Sequence, residues 1–250
     1  MAQEVLDLKK PTVKQLSKFD LKTYTDFIKY LNQFYRIVPF CQIPKDDVPY
    51  LILRHDVDID PSAALTMAKA EHDLGITSTY FFLLSSENYN SFDGKNTAII
   101  RHISELGHEI GLHYDVKKYE KYSQGYVSAL KAEVQALESI VGKPVRCISS
   151  HAPKNPHVFN NFTRFVTAEN PELSEIYVHD SQRIWTIKSL LKLLDNHPKR
   201  VQLLIHPILW RKYTQRQTKL NLFLVDLLLL LNRLRTIIIR VFHTNESCDN

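Results

Sequence analysis

The sequence predicts an α/β fold built on a parallel sheet, open or closed into a barrel, and three observations carry that prediction. Five short apolar runs, at residues 51–53, 110–112, 145–148, 176–178 and 203–205, each stop at a polar cluster containing histidine. Buried parallel strands read as such runs, and α/β proteins gather their chemistry at the carboxyl ends of those strands. Helical segments alternate with the runs, and three of the six glycines stand just past a helix end, where a left-handed cap favours a residue without Cβ. With 250 residues and 44% hydrophobic content, the chain is long enough for one sizeable core.

From the amino terminus, the residues after Asp20 read as an amphipathic helix to about Phe34, followed by a strand-like piece and the polar turn at 44–47. Residues 1–48 are thereby expected to form a cap. A strand begins near Tyr50, and a helix follows with Asp60 as N-cap, Pro61 at its first position and Gly75 beyond its end. Residues 77–84 form the next strand. One helix should end at Leu106 before Gly107 and another at Val141 before Gly142, each leading at once into a strand. After Trp210 come a basic segment, 211–219, and a very apolar one, 220–242, read as final helices packed on the core. Asp226, Asn232, Arg233, Arg235 and Arg240 interrupt the latter, which argues against a bilayer span of about 20 apolar residues. A peripheral membrane contact or a contact between copies of the chain are its alternative uses.

Several function classes lose support. The formal charge of +5 is spread along the chain with no nucleic-acid signature, so no nucleic-acid partner is expected. No GxGxxG or GxxxxGK loop is present, which removes a Rossmann cofactor site and a P-loop. Cys41, Cys147 and Cys248 are odd in number and widely spaced, fitting a reduced, cytoplasmic setting. The first 20 residues hold no apolar stretch of signal-peptide length, so export by that route is not expected.

The polar clusters carry the chemistry. In RHDVD, strand alternation puts Arg54, Asp56 and Asp58 on one side and His55 and Val57 on the other. Two carboxylates then converge, one to hold a divalent cation and one to accept a proton; the plainer alternative is a cluster neutralised by Arg54 for stability. In GHEIGLH the spacing of five separates His108 from His113, and His113, at the carboxyl end, is the better ligand. His151 in SSHAP completes a candidate metal site of Asp58, His113 and His151, with hydrogen bonding to substrate as its other role. His206, in LLIHPILW, can protonate a leaving amine, or else sits capped by backbone in the core. Trp210 is able to stack on a sugar ring, and Asp180 in HDS is placed to orient His206 or Arg54.

In their order, RHDVD, GHEIGLH, SSHAP, HDS and LLIHP resemble the polysaccharide deacetylase superfamily, the NodB-homology or carbohydrate esterase family four group, over roughly residues 51–210. The resemblance implies a distorted (β/α) barrel at 49–210 within a single domain of 1–250, and one divalent metal ion, zinc being the expected one. It also implies removal of acetyl from an N-acetylated sugar or hydrolysis of a related amide, with Asp56 as base and Asp58 as metal ligand. The family carries a second metal histidine four residues after the first, where this chain has Lys117, and SSHAP replaces its arginine-proline loop. The chain is thus similar to a divergent branch, the deacetylase-like proteins of bacterial surface-polysaccharide synthesis. The expected mechanism has Asp56 deprotonating water and His206 protonating the departing nitrogen. Two rivals stand beside it: an inactive saccharide-binding protein and a hydrolase of small non-sugar amides.

Overall fold

The computed structural model describes residues 8–120, 125–151 and 164–211. The amphipathic segment after Asp20 folds as α2 (Leu21–Leu31), preceded by the short α1 (Val13–Leu16). Asp20 caps α2 by accepting from Thr23 N, and Tyr24, Phe27, Ile28 and Leu31 form its buried stripe at helical spacing. The helix stops three residues short of Phe34, and the chain then enters β1 (Arg36–Val38), so the amino-terminal cap also contributes a strand.

Parallel strands follow in the expected order: β2 (Tyr50–Val57), β3 (Thr79–Leu83), β4 (Glu109–Tyr114), β5 (Cys147–Ser150), β6 (Val166–Thr167), β7 (Ile176–His179) and β8 (Arg200–Ile205). Between them run α3 (Pro61–Asp73), α4 (Gly94–Glu105), α5 (Val116–Tyr119), α6 (Tyr126–Val141) and α7 (Ile187–Asn196). Asp60 caps α3 with Pro61 at its first position, and Gly75, Gly107 and Gly142 have φ of +69°, +95° and +70°, as a left-handed exit requires.

The sheet runs β6-β5-β4-β3-β2-β8-β7, with β1 alongside the first half of β2. Read as a circle, this is sequential order in which the last strand, β8, lies beside β2. The sheet is therefore a curled, incomplete barrel, and among the described residues β6 and β7 are the two strands left without a mutual ladder. Its outer face packs against the helices in two clusters, one around Leu51, Leu53 and Val201 with α2 and α7, the other around Tyr80, Leu112 and Ile148 with α4 and α6. Each such aliphatic burial contributes about 1.5–3 kcal/mol. The inside is narrower. A Cβ at Gly111 would lie 2.5 Å from the Phe81 ring and 2.9 Å from Cys147 Sγ, so that strand position admits only glycine without repacking.

No helix among the described residues is long and apolar enough to cross a membrane. The basic and apolar segments at 212–250, with the carboxyl-terminal helices and contacts assigned to them, lie outside the described residues, as do Cys248 and Pro153 of SSHAP. Cys41 and Cys147 are free thiols.

Candidate metal centre and acid-base site

Strand alternation sorts β2 as its sequence requires. His55 turns outward, stacking on Tyr80 at 4.4 Å between ring centroids, while Arg54 turns inward over the Phe81 ring at 5.1 Å. On that inner side a cavity of about 610 Å³ opens at the carboxyl ends of the strands. Arg54, Asp56, Asp58, His113, His151 and His206 all line it, brought together from β2, β4, β5 and β8.

Asp58, His113 and His151 each present a ligand atom within 4.8 Å of the others. Asp58 Oδ1 is buried and has no hydrogen-bond partner, although His113 Nε2 lies 3.4 Å away. His113 Nδ1 lies 3.1 Å from the Ser149 carbonyl. A carbonyl only accepts, so Nδ1 holds the proton and Nε2 keeps its lone pair toward the carboxylates. The His151 ring stands edge-on to His113 at 5.3 Å, with Nδ1 3.7 Å from Asp115 Oδ2. One carboxylate with an orphaned oxygen and two imidazoles suit a borderline divalent ion, with room left for further ligands. The residues present fit the expected metal. Lys117, in place of the family's second histidine, is exposed on α5 and does not line the cavity.

Asp56 is held differently. Arg54 Nε and Nη2 both donate to Oδ1, at 3.2 and 3.0 Å, and Nη2 also reaches Oδ2 at 2.8 Å. Burial disfavours its charge, but Arg54, then His113 and His206, outweigh burial and hold the carboxyl well below the usual carboxylate range. Arg54 Nη2 further donates to Ser149 Oγ, so the guanidinium is tied on two sides.

Asp180, fully buried, organises the last corner. It accepts from the His206 backbone N–H at 3.1 and 3.2 Å, pairs with His206 Nδ1 at 2.7 Å and accepts from Trp210 Nε1 at 2.7 Å. Burial pulls the His206 pKa down, but Asp180, with Asp56 and Asp58, raises it to about 9. His206 Nε2 then faces Asp58 Oδ2 at 3.9 Å. Of the two partners open to Asp180 in the sequence, the structure selects His206. Trp210 requires a correction: its side chain is buried against Phe19, Tyr24 and Trp185, so it steadies Asp180 and has no face to offer a sugar. His108 bonds the Ala68 carbonyl at 2.9 Å within the fold, as its place at the start of the strand implies.

Sequence reading missed Glu169, just after β6. Its Oε1 accepts from Ser149 Oγ at 3.1 Å and Ser150 N at 2.9 Å, while Oε2 is buried without a partner at the cavity wall.

No protein-family model and no curated protein matches the chain. It is similar to solved structures of carbohydrate esterase family 4. One is a pseudoenzyme of that family from Bacillus anthracis, at 14% identity over 74% of this chain and 61% of that one, with a TM-score of 0.46. A second is the peptidoglycan deacetylase PdaC from Bacillus subtilis, at 15% identity over 65% and 77% and a TM-score of 0.46. A third is a family 4 carbohydrate esterase from Streptomyces lividans, at 16% identity over 64% and 79% and a TM-score of 0.41. The chain thus spans about six tenths of the length of the pseudoenzyme.

Proposed function

We propose that the chain is a metal-dependent hydrolase that removes an N-acyl group, acetyl being the expected one, from a sugar or surface-polysaccharide intermediate. The observation that carries this reading is the meeting of Asp56, Asp58, His113, His151 and His206 in one cavity, with Asp58 Oδ1 buried and unpartnered. A pure binding protein has little need for a base, a ligand set and an acid in the same place.

A divalent ion, zinc by its donor set, held by Asp58, His113 and His151 would supply a Lewis acid for the acyl oxygen. The remaining work falls to the protein's own groups. Asp56, kept ionised and oriented by Arg54, takes the proton of the attacking water. His206, whose Nδ1 is fixed by Asp180, presents Nε2 to the cavity and gives a proton to the departing nitrogen. Acetate release from N-acetylhexosamines or their oligomers tests the reading. Asp56→Asn should lower turnover by about 10² to 10⁴ with bound metal retained, and turnover equal to that of the parent would remove Asp56 as the base.

A further inference from the structure

The hydrogen bonds that fix Asp56 do not end at Arg54. Nη2 of the guanidinium carries two N–H groups: with Nε it donates to Asp56 on one side, and on the other it donates to Ser149 Oγ. Ser149 Oγ in turn donates to Glu169 Oε1 at 3.1 Å, and Ser150 N donates to the same oxygen at 2.9 Å. The backbone prepares this meeting. Ala168 N donates to the Ile148 carbonyl at 3.0 Å, which carries the exit of β6 along β5 and sets Glu169 beside Ser149 and Ser150. Arg54, Asp56, Ser149 and Ser150 are all buried, so water competes little along this chain of bonds.

A serine hydroxyl has one proton and two lone pairs, and its neighbours decide which way it donates. The guanidinium only donates and an ionised carboxylate only accepts. Glu169 therefore draws the Ser149 proton to itself and leaves a lone pair facing Arg54. Without that acceptor the hydroxyl is free to turn, and the anchor on the far side of the guanidinium weakens. Arg54 stands on a long stem, and the pose of Asp56 depends on the planar fork it presents. The Ser149 carbonyl also accepts from His113 Nδ1, at 3.1 Å, so the same residue sets the base arm against a candidate metal ligand.

We infer that Glu169 is a positioning residue: through Ser149 it holds the Arg54 guanidinium, and through Arg54 it keeps Asp56 in the pose of a base. This role rests on the proposed hydrolase reading and deepens it, adding the exit of β6 to those of β2, β4, β5 and β8 in building the site. A displacement of about 1 Å in a reacting group costs on the order of a hundredfold in rate, which sets the scale of the expected effect.

Two readouts on the full chain, incubated with zinc, test it. Glu169→Ala and Ser149→Ala should each lower kcat for acetate release from N-acetylhexosamine oligomers about 10- to 100-fold, with KM and zinc content close to the parent's. The double variant should lose no more than the worse single one, as links of one relay do. Glu169→Gln, whose amide oxygen still accepts from Ser149 and Ser150, should recover kcat to within about threefold of the parent's. The second readout does not depend on turnover: rotation of the Arg54 guanidinium about Nε–Cζ, followed by nitrogen NMR exchange spectroscopy with Arg54→Lys identifying the signals. Rotation should be about tenfold faster or more in Glu169→Ala and Ser149→Ala, and near the parent's rate in Glu169→Gln. Rotation unchanged in Glu169→Ala overturns the inference, as do single losses of kcat that multiply in the double variant. A loss confined to KM, or loss of zinc from Glu169→Ala, overturns it too, the first by turning Glu169 toward substrate and the second toward the ligand strand. If the parent releases no acetate, the hydrolase reading falls, and the rotation rates alone decide whether Glu169 holds Arg54.

Discussion

The two faces of β2 both carry buried charge, and they handle it in opposite ways. Outward from the strand, Glu71 of α3 is fully buried, and both of its oxygens are taken. Oε1 pairs with the Tyr24 hydroxyl and lies 2.7 Å from His55 Nε2, while Oε2 accepts from Ser78 Oγ at 2.7 Å and Tyr80 Oη at 3.0 Å. His108 Nδ1 stands 3.7 Å from it. Inward, Asp58 Oδ1 and, farther along the wall, Glu169 Oε2 are buried with nothing to accept from. A satisfied carboxylate locks α2, α3, β2, β3 and β4 together; an unsatisfied one beside a cavity is held ready for something that arrives. Polarity alone therefore does not mark a functional site in this molecule. The state of the hydrogen bonds on its buried carboxylates does.

The sharpest way to break the comparison is to empty the outer face. Glu71→Ala leaves several buried donors without an acceptor and should cost about 3–5 kcal/mol of stability by denaturant titration, with metal content retained below the new transition. Loss of metal from a folded Glu71→Ala protein would show that the two faces are not independent. Slightly smaller is the acid dependence. Burial opposes ionisation of Glu71, but His55, His108 and Tyr24 outweigh it and lower its pKa from 4.5 to about 2. A depressed carboxyl stabilises above its unfolded pKa, so this contribution is complete above about pH 4.5 and is lost as pH falls toward about 2. It amounts to about 3 kcal/mol, and the gap in stability between the parent and Glu71→Gln should narrow by that much over this window.

On the inner face, Asp180→Asn keeps shape but weakens the hold on His206, and kcat should fall about 10- to 100-fold with KM little changed. A fall confined to KM would reassign Asp180 to substrate binding. Mildest is Trp210→Phe, which removes one donor to Asp180 and should cost about 1–2 kcal/mol of stability with a smaller fall in kcat than Asp180→Asn. If it abolished sugar binding instead, the buried placement of the indole would be contradicted.

Much of this was legible in the residues because strands and helices repeat with different periods. Alternation in RHDVD separates Asp56 from His55, and the caps at Asp60, Gly75, Gly107 and Gly142 mark helix ends that the structure keeps. The pairing of Asp180 with His206 could be stated only as one of two options, because it joins strands 26 residues apart that become neighbours through the sheet. Glu71 carried a signal that went unused. It falls on the buried stripe of Ala64, Met67 and Ala68, at positions where a solvated glutamate has no place. Glu169 carried almost none, since β6 is only two residues long and has no apolar run before it. Trp210 misled because a tryptophan after a histidine reads the same whether it faces solvent or core. Only the packing of α2 across the end of β8 decides it.

On the proposed function, the inner face of β2 serves to hold a divalent ion at Asp58, His113 and His151, and the outer face serves stability. Elemental analysis of the purified chain after dialysis against zinc, with Asp58→Ala, His151→Ala and Glu71→Gln prepared alongside, tests it most directly. About one zinc per chain is expected in the parent and in Glu71→Gln, and loss in both Asp58→Ala and His151→Ala. A parent that binds no zinc, or zinc that survives in both of those variants, would contradict it.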